Sequence, residues 1–573
     1  MRDAGTQDRE GWRRAGTAAL FVAGAWLFLA VFFDFYYDLN DDTAMRDILS
    51  GIYTGTPNGH NIQMLYPLGW CIAMCYRLLP SVPWYGIFLC GCQFLALWLS
   101  VSTVLTYVKG REKQSAAALL LTLGGLAVAV YEFVFIQYTV TAGLLVCGAL
   151  VRLYCGPDAE ETGFYRFHLV TALLFVTAFF LRTEMALLLC PFLGLAVLFR
   201  VYGKSRRALY LYGSVLLTMA VFMGAGLAAD RAAYGSGDWK SFRQFFDDRT
   251  RVYDFYGLPE YETNRLFYES IGLSEAQYTL LENYNFDLDE GIHTDSMHQI
   301  AEYAAARQEA GPARRLYLSV YTYLYRFTHG QELAFDLLVV FSYFFLLKAG
   351  TAGKNRRLLG GLFLLLIVRT GLWLFLLYRG RVPERITHPL YLAELAMLGM
   401  FFLREAAVFQ WKKYEKSAIL SLYVLLFACT ALAGGEAAWR EYQAREQRNG
   451  QWQTFQAYCR ERPEQFYYLD VYSTVAYSEK LFSDTSTAYR NFDLLGGWCV
   501  KSPAAAEKRK RAGLEDARTA LLSGKAYFVS DHTKEERNPD FLTAYYREMG
   551  TDILVRQEDT CGSFSIYKIV ETD

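Results

Sequence analysis

"TAALFVAGAWLFLAVFFDFYYDLNDDTAMRDILSG", residues 17–51, decides how the chain is read. An apolar run long enough to cross a bilayer gives way at once to Asp34, Asp38, Asp41, Asp42 and Asp47. Acids outside a span are ordinarily solvated, and Asp34 and Asp38 read as interfacial solvation, Asp47 as a helix-surface acid paired locally. Asp41 and Asp42 differ, because they are adjacent and open a segment with helical Ala/Met/Ile/Leu spacing. One reading makes Asp41 a helix N-cap, where Asp is favoured. The other makes the pair a site at membrane depth. A carboxylate there can take the proton of an acceptor hydroxyl, or hold a divalent cation such as Mg or Mn against a phosphate.

The rest of the chain repeats the apolar half of that pattern. Of 573 residues, 53% are apolar and 16% aromatic, with only 13 prolines. Besides 16–33, runs long enough to span fall at 84–108, 115–132, 137–154, 167–181 and 185–202. Others follow at 208–229, 333–349, 359–378, 389–408 and 418–434. Each approaches the ~20 apolar residues that a spanning helix needs. The expected fold is therefore a polytopic α-helical membrane protein of about eleven spans, with the lipid bilayer as its first partner. A net charge of -1 with no basic stripe excludes nucleic acid as a partner. The 11 cysteines show no CxxC pair and no Cys/His ligand spacing for zinc. Cys499 and Cys561 lie in the polar tail, where export would allow them to pair. The 16–33 run has a basic flank, exceeds a signal-peptide core and meets no small-residue cleavage site, so it reads as an uncleaved anchor.

Lys and Arg bias orients the spans. Arg9, Arg13 and Arg14, "KGREK" (109–113), "KSRR" (204–207), "KNRR" (354–357) and "WKKYEK" (411–416) all fit the cytoplasmic side. The condition is that "MLYPLGWCIAMCYRLLP" (64–80) does not cross. It carries Arg77 between prolines, which suits an interfacial or re-entrant helix. The N-terminus is then cytoplasmic, and the loop 34–63, the polar insert 230–332 and the tail 435–573 lie outside, in the extracytoplasmic space. The insert reads as helical, with a capping box at Ser274 in "SEAQYTLLENY". "ARRLYLSVYTYLYRF" (313–327) suits the outer interface. The tail alternates β-rich runs such as "FYYLDVYSTVAY" and "KAYFVSD" with helical ones, and reads as a small α/β domain. Two domains result: a membrane module over 1–434 and the tail domain over 435–573.

Two further polar clusters are not required by a membrane. In "FFLRTEMALLLCPF" (179–192), Arg182 and Glu184 break an apolar run, either as a plain turn or as groups facing a cavity. Glu132 ends its own span and reads as an ordinary helix terminus. "YRGRVPERITHPLYLAE" (378–394) puts Arg379, Arg381, Arg385 and His388 in a short outer loop, against the usual bias. Arginine's planar fork suits phosphate oxygens. The alternative is that these arginines pair with the outer acids.

A first span, then "NDDTAMRDILSG" (40–51), then the proline-led "YPLGWCIAMCYRLLPSVPWYG" (66–86), resembles the GT-C superfamily of glycosyltransferases. "FLRTEMALLLCPF" and "RITHPLYLAE" are similar to its charge-broken helix pair and its late arginine–proline element. The family, which includes aminoarabinose and protein O-mannosyl transferases, consists of membrane enzymes using polyprenyl-phosphate-linked sugars. The resemblance implies a GT-C-like fold and a membrane glycosyltransferase of the cell envelope. Its donor is a polyprenyl-phosphate sugar and its acceptor an extracytoplasmic glycan, lipid or protein. It implies Asp42 or Asp41 as base or metal-organising acid, Asp42 slightly ahead. Arg379, Arg381 and Arg385 would meet the donor phosphate, with His388, Arg182, Glu184 and Tyr66 as further substrate contacts. Two features depart from the family pattern: Thr139 and Thr141 stand where a second acid is frequent, and Pro67 alone replaces a proline pair. The rival class is non-enzymatic, a lipid-linked glycan transporter or an envelope scaffold. Against the transporter, charges bunch at outer helix ends and no halves repeat.

Overall fold

A computed structural model describes residues 2–307, 311–329, 332–406, 409–483 and 490–572. Residues 407–408, the expected end of the tenth apolar run, lie outside the described residues, as do 308–310 and 330–331 of the insert and 484–489 and 573 of the tail. Among the described residues eleven helices are long and apolar enough to cross a bilayer. They are Arg9–Phe32, Trp84–Tyr107, Arg111–Val134, Tyr138–Cys155, Phe164–Leu181, Thr183–Val201, Arg206–Ala233, Leu333–Ala352, Arg356–Tyr378, Glu384–Arg404 and Lys413–Arg460. The chain is thus a multi-pass helical membrane protein, and each expected run overlaps one of these helices.

The bundle centres on Tyr138–Cys155, 89% of whose apolar window is buried. Small residues make this possible, because close helix approach inside a membrane relies on them. A Cβ on Gly143 would lie 2.4 Å from Pro389 Cβ, and one on Gly148 would lie 3.2 Å from the Ala96 backbone. The 64–80 segment holds a helix of 13 residues, Tyr66–Leu78. At 1.5 Å per residue it is about 20 Å long, short of a ~30 Å hydrocarbon core.

The insert and the tail form one body on the bundle. Two short strands, β1 (Tyr36–Tyr37) and β2 (Phe135–Ile136), pair in parallel and tie the first loop to the third span. The tail contributes β3 (Phe466–Leu469), β4 (Phe492–Leu494), β5 (Ala526–Asp531), β6 (Ile553–Cys561) and β7 (Phe564–Glu571) in the order β4-β3-β5-β7-β6. β4, β3 and β5 run parallel, while β7 and β6 are antiparallel to their neighbours. All four residues of β3 are buried, because both faces are covered. Side chains alternate along a strand: Phe466 and Tyr468 pack with the insert's Phe245, Leu281 and Ile300. Tyr467 and Leu469 pack with Trp452, Phe455 and Cys459. Those three belong to the single helix Lys413–Arg460, so the boundary expected at 434/435 falls inside one continuous helix. The insert's Ser274 does form the expected capping box with Gln277. Cys499 and Cys561, whose pairing the sequence left open, are both free thiols.

Candidate functional site

A cavity of about 670 Å³ lies where the bundle, the insert and the tail meet. Its walls come from the helix Asn40–Ser50, the starts of the spans at Tyr138 and Thr183, the 375–386 segment, and tail segments that follow β3 and β4.

The acidic pair divides at this helix. Leu39, not Asp41, occupies the N-cap, and both acids fall in the first turn, near the positive end of the helix dipole. Consecutive positions on a helix of 3.6 residues per turn point about 100° apart, so the two carboxylates diverge. Asp41 lines the cavity, and its Oδ1 accepts a hydrogen bond from Trp498 Nε1 at 3.1 Å. Asp42 is fully buried away from it. Its Oδ1 accepts from Tyr85 Oη at 3.0 Å and from the Tyr138 backbone N–H at 3.1 Å, while Oδ2 has no hydrogen-bond partner among the described residues. Burial pushes the Asp42 carboxyl well above the usual carboxylate range. The order of preference from sequence is therefore reversed in access: of the two acids, Asp41 is the one that lines the cavity. Among the described residues no group of three His, Cys, Asp or Glu side chains is placed to hold a metal ion.

Arg379, Arg381, Arg385, Arg182 and Glu184 line the same cavity as Asp41. Their states differ. Arg381 is ion-paired with Asp254 of the insert. Arg379 lies over the Phe255 ring, its guanidinium carbon 4.6 Å from the centroid, without an ion pair among the described residues. Arg385 makes neither a hydrogen bond nor an ion pair with any described residue. It is also not in a loop, since Pro383 caps a helix that starts at Glu384 and carries Arg385 and His388 in its first turns. Arg182 stands between two helices in an extended conformation. It donates to Gln63 Oε1 at 2.9 Å and pairs with Glu184 at 3.1 Å.

Two expected contacts lie elsewhere. His388 is bound through Nδ1 to the Glu132 carboxylate, which makes Glu132 an internal partner instead of a plain helix end. The Tyr66 backbone N–H donates to Asp230 Oδ1 at 2.9 Å, and its ring leans on His60, so it anchors the short Tyr66–Leu78 helix to the start of the insert. Neither residue borders the cavity.

Residues that sequence reasoning passed over complete the walls. Arg249, from the insert, is 8% exposed and bonded to Tyr284 Oη and to Thr250 Oγ1; among the described residues its Nε has no hydrogen-bond partner and no carboxylate pairs with it. Lys508 is buried beside Tyr53, its Nζ 4.2 Å from the ring centroid, and burial lowers its pKa. Asp47, read as a helix-surface acid paired locally, does pair with the adjacent Arg46, but it is buried and belongs to a four-residue ionic cluster. Arg46 binds Asp47 and Glu479, the latter at 2.8 Å. Arg490 reaches both acids at 2.6 Å. The cluster fixes the helix that bears Asp41 to the tail. No local signal announces these partners: Arg249 sits in "FFDDRTRVYDFY" among acids that do not pair with it, and Glu479 lies more than 400 residues from Arg46.

No protein-family model matches the sequence, and no curated protein matches it significantly. Among solved structures, the chain is similar to ArnT from Cupriavidus metallidurans bound to undecaprenyl phosphate. Identity is 13% and the TM-score 0.41, over 96% of this chain and 98% of that one. It is likewise similar to the apo state of ArnT from the same organism, at 12% identity and a TM-score of 0.42 over 96% and 97%.

Proposed function

We propose that the protein is a membrane glycosyltransferase moving a sugar from a polyprenyl-phosphate donor to a hydroxyl acceptor on the extracytoplasmic side. The acceptor is a cell-wall polymer, a glycolipid or a protein, and the N-terminus lies in the cytoplasm. One observation carries the reading: a single cavity combines an accessible carboxylate, Asp41, with three arginines, Arg249, Arg379 and Arg385, that have no carboxylate partner among the described residues. Unneutralised guanidiniums facing a cavity at the bundle's end suit a phosphate headgroup, which their forked donors bind bidentately.

The transfer is an inverting displacement. The acceptor oxygen attacks the anomeric carbon from the face opposite the phosphate. The bond from that carbon to the phosphate oxygen breaks, and the polyprenyl phosphate leaves with the electron pair. Arg379, Arg385 and Arg249 stabilise the charge that develops on it, the role of donors aimed at a leaving anion. Asp41 takes the acceptor's proton as general base. Arg381 is held by Asp254 and shapes the rim.

The test is transfer from radiolabelled undecaprenyl-phosphate hexose into membrane extracts by the purified full chain in liposomes. Asp41→Asn and Arg385→Ala should each lower the rate on the order of a hundredfold or more, the scale of a lost base or a lost charge stabiliser. Wild-type rates in both variants would remove the assigned roles.

A further inference from the structure

The geometry points to the Gly496–Gly497–Trp498 turn of the tail as the element that recognises the transferred sugar, a hexopyranose stacked on the Trp498 indole; this rests on the glycosyl-transfer reading above. The turn follows β4, which ends at Leu494. Both glycines are required by the backbone. A Cβ on Gly496 would fall 1.6 Å from the Tyr284 carbonyl oxygen of the insert, and Gly497 has φ +101°, in the left-handed region. The chain therefore doubles back against the insert, and the next side chain enters the cavity.

Trp498 is half-buried and lines that cavity, and its Nε1–H is spent on Asp41. Its ring has no aromatic or cation–π partner among the described residues, whereas Trp239, Trp373 and Trp452 are each packed against other rings. The indole packs on the bundle core and borders the cavity; a ring surface presented to a cavity is what the C–H face of a pyranose covers, with hydroxyls at the edges finding polar side chains. Such groups stand nearby: Tyr53 Oη donates to Asp493 at 3.1 Å, and Lys508 lies against the same tyrosine. The cavity thus divides by chemistry. Arginines from the 379–385 segment and the insert suit phosphate, while the Trp498 ring, with hydroxyl, carboxylate and ammonium groups lining the same cavity, suits a sugar. Through the indole N–H, Trp498 also positions Asp41, so sugar recognition and base orientation share one side chain.

The experiment separates lipid phosphate from sugar. Binding of bare undecaprenyl phosphate and of undecaprenyl-phosphate glucose and mannose is measured on the detergent-purified full chain, for wild type, Trp498→Leu and Trp498→Phe. Wild type should bind at least one sugar-bearing lipid more tightly than the bare one. Trp498→Leu should weaken that lipid roughly three- to tenfold, the scale of one aromatic contact, with bare-lipid affinity unchanged. Trp498→Phe keeps a ring but not the donor, so donor KM should hold while turnover falls about tenfold, as for one lost hydrogen bond to a charged group. Equal binding of bare and sugar-bearing lipids by wild type would overturn the proposal, and so would a Trp498→Leu variant that matches wild type or weakens all lipids alike. Failure of wild type to bind even bare undecaprenyl phosphate would instead remove the glycosyl-transfer reading, and this proposal with it.

Discussion

Replacing Glu479 by alanine should loosen the tail from the bundle. Glu479 accepts from Arg46 at 2.8 Å, Arg490 at 2.6 Å and Gln456 Nε2 at 2.9 Å, with its side chain 15% exposed. Its loss leaves two guanidiniums, one of them 1% exposed, sharing the single carboxylate of Asp47. Removing one partner from a buried ionic cluster costs about 3–5 kcal/mol, because the remaining charge stays desolvated. For a body of the size of insert plus tail, that corresponds to a fall in Tm on the order of 10 °C. The assay is thermal unfolding of the detergent-purified chain, followed by tryptophan fluorescence. pH adds a second arm. Burial alone would raise the Glu479 carboxyl, but Arg46 and Arg490 outweigh it and hold the carboxyl below its ordinary value of 4.5. A carboxyl lowered on folding contributes stability that is present above that ordinary value and is lost as pH falls toward the lowered one. The Tm gap between wild type and Glu479→Gln should accordingly be steady near neutrality and shrink below about pH 4.5. An unchanged Tm for Glu479→Ala at neutral pH, or a gap that widens on acidification, would refute the clamp.

Asp42→Asn should keep the transfer rate within a few-fold of wild type while Asp41→Asn loses on the order of a hundredfold, since only Asp41 borders the cavity. Because burial raises the Asp42 carboxyl, its stabilising contribution is present at low pH and lost as pH rises through the raised value, and Asp42→Asn should abolish that loss in unfolding scans across pH. Arg369 Nε bonds Glu394 Oε2 at 2.8 Å between two spans, with side chains 3% and 0% exposed. Arg369→Met should therefore cost about 3–5 kcal/mol in detergent unfolding, and Arg369→Met/Glu394→Gln should recover part of it. Gly496→Ala puts a methyl into the Tyr284 carbonyl, so the junction of insert and tail should weaken by about 1–3 kcal/mol, read as faster limited proteolysis between 230 and 332.

The spans and the capping box at Ser274 were legible in the sequence because they are local. An apolar run of bilayer length or a serine three residues before a glutamine carries its own physics. Asp41 and the 379–385 arginines line one cavity, and the sequence grouped their segments by charge and apolar spacing, which also depend on composition alone. Pairing does not. Which acid of an adjacent couple faces a cavity depends on helix phase, and the phase is set by where Leu39 starts the helix. Whether an arginine is free or neutralised depends on what the fold brings beside it: Asp254 to Arg381, no described carboxylate to Arg385, Glu132 to His388. Trp498 reaches Asp41 only because Gly496 and Gly497 turn the tail against the insert. Amino-acid sequence by itself determined a multi-pass helical membrane protein with polar segments gathered at one end. Tertiary structure alone decided which charges remain unneutralised, because a charge is paired only by residues that the fold brings within a few ångströms, at any distance along the chain.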